Sequence, residues 1–304
     1  MIQITRILCP VDFSEFSRHA LDHAIAVARW YEASVTVLHV FVNLPNMDVP
    51  GVPLADPNHE LLLTSMRAFA GETPPGVPVS FVARCASDVP REILDRATTL
   101  ASDLIVIGSH GRSGFERLLL GSVTEKVVRK SPCPIMVVPP RAADAEGAGL
   151  LHGGRPRILC AIDFSDASLG ALEYAMSLAE EADADLTLFH SIEVPPELRQ
   201  PIPVPSDFNV DQCHAAAEAE CLVRLRELVP PSVRTYCHVE TAVREGAAYR
   251  QVLRLAAEQT ADLIVMGVHG RGAVDLLLFG SNTARVIRAA TCPVLIVPSP
   301  HGRG

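Results

Sequence analysis

No run of apolar residues in this chain approaches the ~18 needed to cross a membrane, which excludes a helical span. Residues 1–6 lead straight into a strand-like run without a basic segment followed by an apolar one, so no secretory leader is read and the expected compartment is the cytosol. Excess basic charge is also missing. A net charge of −9 and a pI near 5.6 argue against a nucleic-acid surface. The eight cysteines contain no C-x-x-C and no Cys/His ligand spacing, so neither a metal site nor structural disulfides are expected. Cys9 and Cys160 occupy matched places, as do Cys133 and Cys292, and all four read as buried small hydrophobes. Cys85, Cys213, Cys221 and Cys237 have no counterparts. No Ser/His/Asp or Cys/His arrangement for nucleophilic catalysis is legible.

What is present is a glycine signature used twice. Gly108 and Gly111 are followed after nine residues by Gly121-Ser122, and Gly267 and Gly270 after nine residues by Gly280-Ser281. Each copy follows an apolar run, Leu104-Ile105-Val106-Ile107 or Leu263-Ile264-Val265-Met266, and ends where a helical pattern begins. A strand, a glycine loop and a helix N-terminus together present backbone N–H groups and a positive dipole end to an anion, so the pattern reads as a phosphate cradle. A single such loop is more often an ordinary turn; recurrence in two diverged halves favours the cradle. It is not a Walker A loop, because no Lys-Ser/Thr follows the glycines.

The rest of the chain repeats with it. Asp12-Phe13-Ser14 returns as Asp163-Phe164-Ser165, and Cys133-Pro134 as Cys292-Pro293. The offset is 163 − 12 = 151 early and 267 − 108 = 159 later, so the second copy carries eight extra residues in its middle. Such a long period indicates duplicated domains rather than a solenoid. Residues 141–155, rich in Gly and Ala, read as a linker between a domain at 1–140 and a second at 156–304. With 48% hydrophobic and 20% charged residues, each half can bury its own core.

Strand-like runs near 4–11, 34–42, 77–84, 103–108 and 134–138 alternate with helical patterns near 14–32, 57–71, 88–101 and 122–130, and the second half repeats the order. Near-continuous Ile, Leu and Val strands separated by amphipathic helices predict an α/β fold of two tandem doubly wound domains. Each would be a five-stranded parallel sheet with helices on both faces. Ligands of such sheets sit at the carboxyl ends of the strands near the switch point. Asp12 and Asp163 close the first strand of each half and should face the same crevice as the glycine loops. A carboxylate there accepts hydrogen bonds from a ribose hydroxyl or an adenine amino group, although Asp12 also suits the cap of the first helix. Ser122-Val123-Thr124-Glu125 fits a capping box as well as a phosphate contact. His39, His190, His110 and His269 read as hydrogen-bonded or backbone-contacting residues rather than catalytic ones. Arg112 and Arg271 stand equally as phosphate-neutralising or as solvated loop arginines.

Taken together, the two-residue and nine-residue glycine spacing, the strand-end Asp and the terminal Cys-Pro strand resemble the universal stress protein family in its tandem form. The resemblance covers residues 1–139 and 156–299. It implies an adenine nucleotide alpha hydrolase-like fold and, through the full glycine pattern, the ATP-binding branch of the family. In the first half it implies that Pro10, Val11 and Asp12 hold adenine and ribose and that Val40 gives a backbone contact to adenine. Gly108, His110, Gly111, Gly121, Ser122, Val123 and Thr124 would form the phosphate loop, with Arg112 beside it. In the second half Asp163, Gly267, His269, Gly270, Gly280 and Ser281 match, with Ile162, Arg271 and Thr283 in corresponding places. Ala161, Ser191 and Asn282 depart from Pro10, Val40 and Val123.

The function expected is a nucleotide-dependent regulator or sensor that binds ATP, with or without Mg²⁺, and hydrolyses it slowly at most. No positioned base, metal carboxylate or Walker lysine for fast phosphoryl transfer is evident. The alternatives are a protein-interaction scaffold and an adenylyl-transferring enzyme of related fold. The proline-rich residues 43–57 and 193–206 read as lids, partner surfaces or ordinary loops. The resemblance further implies that Ile135-Met136-Val137-Val138 and Val294-Leu295-Ile296-Val297 dock the halves as an intramolecular pseudo-dimer, with association into a homodimer left open.

Overall fold

A computed structural model describes residues 2–42, 57–111, 120–140, 154–193, 210–268 and 280–298. The first half runs β1 (Arg6–Pro10), α1 (Glu15–Tyr31), β2 (Ser34–Phe41), α2 (Pro57–Ala70), β3 (Val79–Cys85), α3 (Val89–Thr99), β4 (Leu104–Gly108), α4 (Ser122–Lys130) and β5 (Ile135–Val138). The second runs β6 (Arg157–Ala161), α5 (Asp166–Glu181), β7 (Asp185–Ile192), α6 (Val210–Glu227), a short α7 (Val233–Tyr236), β8 (Val239–Glu245), α8 (Ala248–Glu258), β9 (Leu263–Gly267), α9 (Ser281–Ala289) and β10 (Val294–Val297).

The strands form one ten-stranded sheet in the order β3-β2-β1-β4-β5-β10-β9-β6-β7-β8. Pairing is parallel within each half, so both halves are doubly wound α/β units with the order reversing beside β1 and β6. At the centre β5 and β10 pair antiparallel, with Met136 opposite Leu295. Because every strand there has neighbours on both faces, the apolar runs are continuous rather than alternating; β4, β5, β9 and β10 are buried throughout.

The core divides by sheet face. One layer packs α1, α2, α5, α6 and α7 over residues such as Cys9, Val106, Met136 and Leu295, and the other packs α3, α4, α8 and α9 over Leu8, Ile105, Val137 and Ile296. Helix starts follow local chemistry. Ser14 caps α1 by accepting from the Ser17 N–H at 3.2 Å, Ser165 does the same for α5 at 3.3 Å, and Asp88 caps α3. The cysteines Cys9, Cys133, Cys160 and Cys292 are buried as expected, Cys237 joins them, and Cys85 is exposed; no disulfide joins the described cysteines. Cys213 lies outside the described side chains, and no described helix is long and apolar enough to cross a membrane.

The eight additional residues can be located. Buried Met66 and Ala70 in α2 answer buried Leu225 and Val229 at the end of α6 and just beyond it, already at the later offset. The insertion therefore falls between β7 and the buried part of α6. The proline-rich residues 43–56 and 194–206, and the linker residues 141–153, lie outside the described residues.

Beside the β5–β10 pairing, side chains also link the halves. Ser177 on α5 donates to the Ile2 carbonyl at 3.2 Å, which leaves its oxygen to accept from the Tyr31 hydroxyl at 2.9 Å. Burial pushes the Tyr31 phenol well above its ordinary range, so it stays protonated and a donor. Tyr31→Phe is expected to lower the free energy of unfolding by about 1 kcal/mol, because Ser177 loses a buried donor. Urea denaturation of Tyr31→Phe, Ser177→Ala and the double variant checks this, with coupling expected between the two.

Candidate functional site at the carboxyl ends of the strands

The chain leaves β1 through a turn that is the same in both halves. Asp12 Oδ1 accepts from the Ser14 N–H at 3.1 Å and the Ser14 hydroxyl at 2.5 Å, and Asp163 repeats this with Ser165 at 3.0 and 2.5 Å. The cap reading of Asp12 is thus partly realised: the carboxylate orients the capping serine rather than capping the helix itself. Between them Phe13 and Phe164 adopt φ of 64° and 63°, a left-handed conformation that costs a bulky L residue about 1–3 kcal/mol. Strain kept twice in the same place marks a turn whose geometry is required.

The other oxygen of Asp12 faces the glycine loop. A Cβ on Gly111 would stand 2.6 Å from Asp12 Oδ2, so the loop lies directly against this carboxylate and a larger residue would make the side chain shift. The strand-end acid and the loop therefore meet, as the topology predicted. The four glycines with described surroundings do different work, however. A Cβ on Gly108 would meet the Phe16 carbonyl oxygen at 3.1 Å, and one on Gly267 would meet Ala167 at 2.8–2.9 Å. The first glycine of each motif thus admits the opening turn of α1 or α5 onto β4 or β9. Gly121 closes the loop: its N–H donates to the Ser109 carbonyl at 2.9 Å, and a Cβ would stand 3.2 Å from that oxygen. The Gly280 N–H donates to the Val268 carbonyl at 3.2 Å in the same way.

The capping box read at Ser122 does not form. Gly121 takes the N-cap position of α4, which makes Ser122 the first helical residue, one place too late to reach the N3 amide, and Glu125 instead pairs with Arg129 at 3.0 Å. Gly280 takes the same position before Ser281. Neither α4 nor α9 has a side-chain cap, so the first-turn amides and the exposed Ser122 and Ser281 flank the glycine loop without an internal acceptor from the cap residue. Thr124 and Thr283 are buried and donate to the Gly108 and Gly267 carbonyls at 2.8 and 3.1 Å, tying the helix to the strand end; Val123 and Asn282 are partly buried in the same turns.

The remaining predicted residues divide clearly. Pro10 and Ala161 end β1 and β6, while Val11 and Ile162 follow as buried residues whose N–H groups donate to Leu38 and Phe189. Val40 and Ser191 lie at the ends of β2 and β7, and the Ser191 hydroxyl donates to the Gly246 carbonyl at 2.8 Å. His110 Nδ1 meets Ser109 Oγ at 2.9 Å, and its buried Nε2 has no partner among the described residues. Arg112, His269, Gly270 and Arg271 lie outside the described residues. Sequence reading missed the left-handed phenylalanines and the threonine ties; the recurrence of Phe after Asp and of Thr three residues after the loop's last Gly was their available signal. Burial pushes the Cys9 and Cys160 thiols upward, so neither strand thiol is a reactive thiolate. No cluster of three or more His, Cys, Asp or Glu suited to a metal occurs among the described residues.

The universal stress protein family model matches residues 3–139 and again 154–298. The chain belongs to the universal stress protein family. A universal stress protein of Mycolicibacterium smegmatis is 29% identical, over 96% of this chain and 96% of its own. One from Methanocaldococcus jannaschii is 29% identical over 47% of this chain and 82% of its own length, matching a single half. Among solved structures, a universal stress protein from Archaeoglobus fulgidus has a TM-score of 0.60 at 22% identity, covering 98% of this chain and 100% of its own. A Pseudomonas aeruginosa protein of unknown function has a TM-score of 0.68 at 17% identity over 97% of this chain and 93% of its own. These two likenesses establish the tandem fold.

Two glycine substitutions separate packing from backbone freedom. Gly267→Ala is expected to cost about 1–3 kcal/mol, because its Cβ would press on the α5 backbone. Gly170→Ala, inside α5 with nothing within 4 Å of its Cβ, should stabilise by about 0.5–1 kcal/mol. Denaturant midpoints of the two variants against wild type read both signs.

Proposed function

We propose that this universal stress protein is an ATP-binding regulator with one nucleotide site at the carboxyl ends of the strands in each half. The observation that carries the reading is the convergence of the strand-end carboxylate and the glycine loop, with Gly111 lying where any Cβ would meet Asp12 Oδ2. The residues fit the group. Asp12 and Asp163 suit the ribose or the adenine amino group as acceptors, the Val40 and Ser191 strand ends suit the base, and the side-chain-free N-caps of α4 and α9 suit phosphate oxygens. ATP would supply the charge and the phosphoryl groups; Mg²⁺, where present, would ride on its phosphates, since the chain brings it no ligand cluster among the described residues.

In this reading the halves are domains 1–140 and 156–304, joined by a linker at 141–155 and docked through β5 and β10 as an intramolecular pseudo-dimer acting in the cytoplasm. The chain's own residues bind and orient. Asp12 Oδ1 accepts from Ser14 while Oδ2 faces the glycine loop as the acceptor offered to the ligand, and Thr124 gives its proton to the Gly108 carbonyl. Binding with slow hydrolysis at most is the activity expected in this reading.

Calorimetric titration of nucleotide-free protein with ATP and Mg²⁺ tests the proposal. Saturable binding is expected, and Asp12→Ala should weaken the first site by at least about tenfold, the scale of a lost charge-assisted hydrogen bond. Gly121→Ala should weaken the same site, because its Cβ would press on the Ser109 carbonyl and push the loop off its closing bond. An absence of binding heat, with an unchanged melting temperature, would favour the scaffold reading instead.

A further inference from the structure

The helices α8 and α9 follow β8 and β9 and pack side by side, so both begin at the carboxyl ends of the strands, where the second glycine loop lies. Tyr249, in the first turn of α8, collects two arginines there. The Arg285 guanidinium of α9 lies 4.7 Å from the tyrosine ring centroid and that of Arg250 lies 5.6 Å from it, both within cation–π range. Arg250 Nε also donates to the Tyr249 hydroxyl oxygen at 2.8 Å, which leaves the hydroxyl its own hydrogen to give. Glu258 is the one acid in α8 and α9, and it is taken by Arg244 at 2.6 Å and Arg254 at 2.8 Å. Among the described residues no carboxylate pairs with Arg250 or Arg285.

The first half has no such cluster. At the 159-residue offset of the repeat, Tyr249 answers to Pro90, Arg250 to Arg91 and Arg285 to Lys126. Arg91 is neutralised on its own helix by Asp95 at 3.7 Å, and the second half carries Arg254 in place of that acid. Glu92 and Glu125, which pair with Arg96 and Arg129 at 3.0 Å, are likewise replaced by Gln251 and Ala284.

A cluster whose free groups are all donors suits a ligand that only accepts, and two guanidiniums held on one ring repel each other until an anion joins them. Position selects phosphate. Arg285 follows Ser281 by four residues, one turn along the same face of α9, and helical side chains lean toward the N-terminus. Its guanidinium therefore stands below first-turn amides that have no side-chain cap, at the end of the glycine loop.

We propose that Tyr249, Arg250 and Arg285 form a phosphate-binding cluster, outside the glycine motif and built in the second half alone, that takes the outer phosphates of a nucleotide lying on that loop. The nucleotide part rests on the reading above; the cluster's affinity for phosphate does not. The second site then discriminates by phosphate number through residues that the first site lacks.

The test is an NMR titration of the full chain with AMP and with ATP, read at the Ser122 amide for the first site and the Ser281 amide for the second. Arg285→Gln should lower ATP affinity at Ser281 about tenfold, the scale of a lost charge-assisted hydrogen bond, with AMP affinity there and both affinities at Ser122 unchanged. Arg250→Gln should act in the same direction. A merely structural role for the arginines would weaken AMP and ATP alike. That result, or ATP affinity unaltered in Arg285→Gln, overturns the proposal. If neither nucleotide shifts either serine amide in wild type, the nucleotide reading falls and sodium tripolyphosphate alone decides the cluster. A saturable shift of the Arg250 Nε–H in wild type that disappears in Arg285→Gln sustains it, and no shift overturns it as well.

Discussion

Everything at the candidate site depends on where the chain parts company with itself beside β1. From β1 the chain goes one way to β2 and β3 and returns on the other side as β4 and β5, so the loops leaving β1 and β4 diverge and a crevice opens above the sheet. Its near wall is set by one further contact, the opening turn of α1 seated on β4 at Gly108, and of α5 on β9 at Gly267. A larger residue there would push the helix away and draw Asp12 or Asp163 from its loop. The packing glycine and the loop glycines are therefore parts of one constraint.

The turn after β1 shows how such a site is kept aimed. Two phenylalanines in left-handed conformation are unfavourable locally and persist only because their surroundings over-determine them. The carboxylate-to-serine bonds, the helix cap and the ring of His39 or His190 supply that surrounding in both halves. The outer layer differs. Phe69 meets Phe13 edge-on at 5.4 Å, whereas the Arg224 guanidinium lies 4.1 Å over the Phe164 ring. Ser109, bonded to His110 in the first loop, is replaced by Val268 in the second. The inner geometry is duplicated while its support has diverged, and the two sites are not chemically equivalent.

Much of this was legible because the signals were strong and local. Continuous Ile/Val/Leu runs located the strands to within a few residues, and the glycine spacing located the loops. The doubly wound topology implied by the strand and helix order brought Asp12 and Gly111 to the same strand ends. What escaped depended on three-dimensional register. Ser122-Val123-Thr124-Glu125 has the spacing of a capping box, yet Gly121 starts the helix one residue earlier than the box requires. Gly108, read as part of the phosphate loop, is also a helix-packing position, and the close approach of Phe16 in α1 leaves no trace in local sequence. His39 was read as a hydrogen-bonded or backbone-contacting residue, but that its ring reaches the Val11 carbonyl was not legible, because a histidine at a strand end does not reveal which carbonyl it will meet.

The most direct test of the central claim is a crystal structure of the full chain grown with a non-hydrolysable ATP analogue. Nucleotide is expected at the carboxyl ends of the strands, with the base between the ends of β1 and β2 and the phosphates over Gly121 and the first turn of α4. The second half should hold the equivalent pose. An analogue bound elsewhere, or strand ends that stay without nucleotide at saturating concentration, would contradict it.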